Sequence, residues 1–111
     1  MSTMEGCSLL KEVQIGAKHY SIVECDSDHF ELLLEELGAN NHEARSFIAY
    51  DQQLIVVRSE LHQDTKKEYI IHELLHAMLD DAGLSEDVEV EHFVKALAPR
   101  LTIFLTTQSF I

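Results

Sequence analysis

The spacing of hydrophobic and polar residues changes several times along the chain, and each change marks an element. Glu12-Val13-Gln14-Ile15 alternates, Gly16-Ala17-Lys18 supplies turn residues, and Tyr20-Ser21-Ile22-Val23 resumes. That pattern predicts a β-hairpin of two short strands. Residues 1–10 show no clear period and are expected to be a loose lead-in. Phe30, Leu33, Leu34 and Leu37 then recur at helical spacing. They follow the capping-box pattern of Asp28-His29-Phe30-Glu31, with Gly38 where a left-handed cap belongs, so a short helix is predicted over about 29–37. Gly38-Ala39-Asn40-Asn41-His42-Glu43 reads as a loop. Residues 46–50 and 54–57 are β-rich runs around Asp51-Gln52-Gln53, a second predicted hairpin. The run Leu54-Ile55-Val56-Val57 is apolar throughout, as in a strand covered on both faces.

Beyond the second hairpin the period is helical. Thr65-Lys66-Lys67-Glu68 matches a capping box and opens a longer helix. Ile70, Ile71, Leu74, Leu75, Met78 and Leu79 form its apolar band, and Gly83 closes it after Ala82. Ser85 can cap a last helix, with Glu86 and Asp87 favourable to its dipole. Val90, Phe93, Val94, Leu97, Leu101, Phe104 and Leu105 give that helix an apolar face. Pro99 removes the amide bond back to Lys95, so a kink near 95–98 or a division into two helices is expected. Residues 106–111 are a fraying helix end or a terminal tail. The fold class expected is α+β, with short antiparallel hairpins packed on the long helix and its successor.

Composition narrows the picture. A chain of 111 residues with 46% apolar content can build one domain around a modest core. No apolar run approaches the roughly 20 residues of a membrane span. The first residues lack the basic-then-apolar pattern of a secretory signal, so a cytoplasmic location is expected. Net charge is −12, from 20 acidic and 8 basic residues. This argues against a generic nucleic-acid surface, which needs clustered Lys and Arg. Solubility is the plain meaning of the acidity. Cys7 and Cys25 form no CxxC pair and are expected as reduced thiols, although their spacing leaves a disulfide open.

The candidate chemistry lies in His72-Glu73-Leu74-Leu75-His76. Histidines four apart on a helix share a face, roughly 6 Å between Cβ atoms, so both can reach one metal ion. A glutamate directly after the first can take a proton from a water at the ion's open position. With 7 His and 13 Glu in the chain, chance placement would give an HExxH about 5% of the time. The flanking apolar band favours the functional reading, because histidines beside it are desolvated and need partners. Zinc needs a third protein ligand. The short turn Gly83-Leu84-Ser85 folds the last helix back on the motif helix, which offers Glu89, Glu91 and His92. Glu91 shares a face with Val94 and Ala98, but spacing does not separate the three. Tyr50, Tyr69, His62 and His92 are candidate oxyanion donors. Glu68 and Asp80 are candidates for orienting the histidines.

Ile71-His72-Glu73-Leu74-Leu75-His76-Ala77-Met78-Leu79, followed by Glu91-His92-Phe93-Val94-Lys95-Ala96-Leu97-Ala98, resembles the small gluzincin-type metallopeptidases. These include short proteins of phages and mobile elements and the larger ImmA/IrrE-type peptidases. The resemblance covers about residues 45–99, and a strand hairpin before the motif helix belongs to it. It implies Zn2+ held by His72, His76 and Glu91, with Glu73 as general base in peptide-bond hydrolysis. The substrate implied is a protein or peptide, which could pair with the last strand if that strand is an edge. The alternative is a zinc-stabilised regulatory protein that binds a partner without turnover. A weaker third reading is an acidic mimic of a basic protein's partner.

Overall fold

A computed structural model of the chain describes residues 6–37, 44–84 and 88–108. It is an α+β domain in the order β1 (Cys7–Ile15), β2 (Lys18–Cys25), α1 (Ser27–Glu36), β3 (Ser46–Ala49), β4 (Leu54–Arg58), α2 (Gln63–Asp81), α3 (Val88–Thr107). The sheet order is β1-β2-β4-β3. Both expected hairpins are present, β1/β2 and β3/β4, each antiparallel. They join through a parallel β2/β4 pair, which places β4 inside the sheet and leaves β1 and β3 as edges. Leu54-Ile55-Val56-Val57 is apolar because it is covered on both faces.

Strand alternation sends side chains to two cores. On one face Val23, Cys25, Phe47 and Val56 pack against Phe30 and Leu34 of α1. On the other, Tyr20, Ile22 and Ile55 meet Ala77 of α2, with Ile70 and Leu74 half-buried beside them. The sheet is therefore a middle layer between α1 and α2, and α3 packs outside α2.

The first ten residues differ from expectation. β1 already begins at Cys7, and its register shifts between Leu9 and Lys11. The bulge inserts an extra residue, so odd-numbered residues change face across it. Cys7 thereby packs toward the α1 core while Val13 packs toward α2. The broken alternation is why no period is readable there. The cysteines also differ from expectation. Cys7 and Cys25 face each other across the β1/β2 pair and form a disulfide.

Helix starts shift too. Asp26 caps α1, accepting from the His29 amide (2.9 Å) and lying 2.8 Å from its Nδ1. His62 caps α2, its Nδ1 accepting from the Asp64 amide (3.3 Å), ahead of the Thr65 box. Gly83 ends α2 with φ +82° as expected, a left-handed conformation suited to glycine. The expected caps Gly38 and Ser85 lie outside the described residues.

α3 runs through Pro99 as one helix, not two. Its buried seam is Val94, Ala98 and Thr102, with Thr102 returning its hydroxyl proton to the Ala98 carbonyl (2.7 Å). Phe93 and Phe104, expected inside, are exposed, as is Met78 on α2. Phe93 and Phe104 lie off the buried 94/98/102 stripe of α3, while α2 is covered from two sides. Its buried set includes Lys66, Glu73 and His76 beside Ile71 and Ala77, so the covered surface is wider than the apolar band and displaced from it.

Candidate metal centre

His72 and His76 stand one turn apart on α2, their ring centroids 4.9 Å apart. Glu91, in the first turn of α3, occupies the stripe that continues through Val94 and Ala98 against α2. Its carboxylate therefore crosses to the histidines. Glu91 Oε1 lies 2.9 Å from His76 Nε2, and Oε2 lies 3.6 Å from His72 Nε2. One ligand atom from each residue fits within 4.8 Å of the others, which among the described residues happens in this group alone. Two imidazole nitrogens and a carboxylate oxygen are the donor set of open zinc sites, in which water takes the fourth place. The residues present fit such an ion.

Of the three candidates on α3, Glu91 is the one that joins the cluster, as rotation about the helix axis explains. With 100° per residue, a helix that turns residue 91 inward carries 89 and 92 away from the same line. Glu89 and His92 are exposed and lie outside the cluster.

Glu73 points into the same region but is buried, at 6% exposure. Ser46 Oγ donates to its Oε2 at 2.7 Å. The partnership follows from strand parity, since residues 46 and 48 of β3 face α2 while Phe47 faces α1. A cleft of about 470 Å³ opens over these groups, bounded by the β3 side, α2 and α3. Tyr50 and Tyr69 line it, and Arg45 donates to the Tyr69 hydroxyl (3.4 Å). Lys95, one turn after Glu91, lines it from α3.

Other expected members lie elsewhere. His62 is spent on the α2 cap, and His92 is exposed. Asp80 pairs with Lys18 (3.6 Å), and Glu68 lines a separate groove between α2 and α3. Thr106 and Thr107 belong to that second groove, so the described part of the expected tail does not line the cleft. Residues 109–111 lie outside the described residues. The last strand in sequence, β4, is interior, and the edge beside the site is β3.

Compared with known proteins, the chain matches no family model, no curated protein and no solved structure. Sequence reading missed Ser46, Arg45 and Lys95. The only available signal for Ser46 was its strand parity, which matters once β3 is known to lie over the motif helix.

Proposed function

We propose that the protein is a zinc-dependent peptidase, in which His72, His76 and Glu91 hold the ion and Glu73 is the general base. One observation carries this reading. A buried glutamate stands beside a convergent His, His, Glu donor set, within a single cleft. A zinc ion bound there would polarise a carbonyl and lower the pKa of its water toward about 7.

The chain's own residues supply the rest. Glu73 accepts the proton of the attacking water and delivers it to the leaving amine. The Ser46 hydroxyl holds that carboxylate in place. The Tyr50 and Tyr69 hydroxyls, both on the cleft, are donors for the carbonyl oxygen as it gains charge. Among the described residues β3 is an edge of the sheet, where an extended peptide could add as a further strand, and it lies beside the reacting groups.

The resemblance to phage and mobile-element peptidases favours one specific protein substrate in the cytoplasm. No described helix is long and apolar enough to cross a membrane. The Cys7–Cys25 bond is of a kind that persists in oxidising compartments, so the redox state of the protein as isolated from its source bears on location.

Glu73→Gln is the test. It keeps fold and metal and lowers hydrolysis by roughly 100-fold or more, the worth of a positioned base. Hydrolysis at the parent rate would remove Glu73 from the mechanism. A partner-binding function that persists unchanged would favour the regulatory reading.

A further inference from the structure

We infer that the cleft selects peptides carrying an acidic side chain beside the scissile bond. The inference rests on the metallopeptidase reading above and adds the substrate class.

Only 8 of the chain's 111 residues are Lys or Arg, against 20 Asp and Glu. Two of those few line this one cleft, from different sides. Arg45 immediately precedes β3, is exposed, and touches the Tyr69 hydroxyl on the cleft wall. Lys95 reaches in from α3, its side chain 66% exposed and its Nζ 3.8 Å from Glu91 Oε2.

Loading the site changes the balance of charge. Glu91 is the carboxylate that Lys95 faces, and once Glu91 is engaged by a cation its charge is compensated there. The ammonium of Lys95 is then left to the cleft, with the Arg45 guanidinium as the second positive group. A peptide lying along the β3 edge places alternate side chains over the cleft. A carboxylate among them meets both cations, and the planar guanidinium can take it in a bidentate pair. The acidic surface elsewhere repels anionic chains, so the preference is local to one side chain and not a general taste for acidic proteins.

The test is binding, read by calorimetry on the full-length protein after its zinc content has been measured. The probes are acetyl-Leu-Glu hydroxamate and acetyl-Leu-Gln hydroxamate, which differ in one charge. The acidic probe is expected to bind tighter on the order of tenfold, with the gap narrowing as salt is raised. Arg45→Ala with Lys95→Ala closes the gap, and Arg45→Glu with Lys95→Glu reverses it. Both side chains are exposed, so these variants keep the fold, which circular dichroism checks. Equal affinity for the two probes in zinc-loaded protein overturns the acidic preference and leaves the metal centre standing. A gap that survives both double substitutions overturns the assignment to Arg45 and Lys95. Protein that holds no zinc and binds neither probe overturns the metallopeptidase reading and this inference together.

Discussion

Ser46 is where the sheet touches the candidate base, through a 2.7 Å hydrogen bond to a carboxylate that is almost wholly buried. Ser46→Ala removes one donor from that carboxylate. The expected result is a fall in kcat of about tenfold with zinc retained, since a misplaced base costs rate more than binding. An unchanged kcat would assign the bond to folding alone. Tyr20 poses the opposite case. Its hydroxyl is buried, finds no partner among the described residues, and has its pKa raised by that burial. Tyr20→Phe should therefore leave stability unchanged or raise it by about 1 kcal/mol, measured by urea unfolding; a clear loss would show that the hydroxyl is bonded in solution. Asp26 gives a pH signature. Its hydrogen bond from the His29 amide, then its contact with the His29 side chain, holds its pKa below the ordinary 3.8. A depressed carboxyl stabilises the folded state above the unfolded pKa, and that support is lost as pH falls below 3.8 through the lower folded value. Asp26→Ala should thus lower Tm at pH 6 and close the difference from the parent near pH 2. At this scale the sequence made His72, Glu73 and His76 legible, because one helical turn fixes their relation. Glu91 was not separable from Glu89 and His92, because the choice depends on which face of α3 meets α2.

Elements were more legible than their joins. The helix and hairpin periods located α1, α2, α3 and both strand pairs to within a few residues, because each is written in local spacing. The start of β1 is illegible because its bulge breaks the alternation, and α2 starts ahead of the Thr65 box because His62 takes the cap. The parallel β2/β4 pair was invisible, being a contact between segments with no local signature. Two long-range ties now hold these elements. The disulfide closes an 18-residue separation between the start of β1 and the end of β2. Reduction should cost about 3 kcal/mol by loop closure, read as a lower urea midpoint that Cys7→Ser reproduces; no change would mean the bond is absent or offset in solution. Arg58, buried on β4, lies over the Phe30 ring at 4.2 Å and donates to Ser27, Glu31 and the Ala44 carbonyl. Arg58→Met should cost about 2 kcal/mol, because it detaches α1 from the sheet and leaves the Ala44 carbonyl short of a donor. Loss of only a few tenths would show that Phe30 packing alone seats the helix.

Across the whole molecule, three layers bring one cleft together from parts far apart in sequence. β3 brings Ser46, α2 brings His72, Glu73 and His76, and α3 brings Glu91 and Lys95. The α2/α3 packing through Val94, Ala98 and Thr102 sets the distance across which Glu91 reaches. Whether this convergence holds a metal ion is read by native mass spectrometry of the purified protein supplied with zinc at neutral pH. One tightly held zinc is expected in the parent, lost in His76→Ala and in Glu91→Ala, with Glu89→Ala unaffected. Well-folded parent protein that takes up no zinc, or holds it equally in His76→Ala, would mean that His72, His76 and Glu91 are not a metal site.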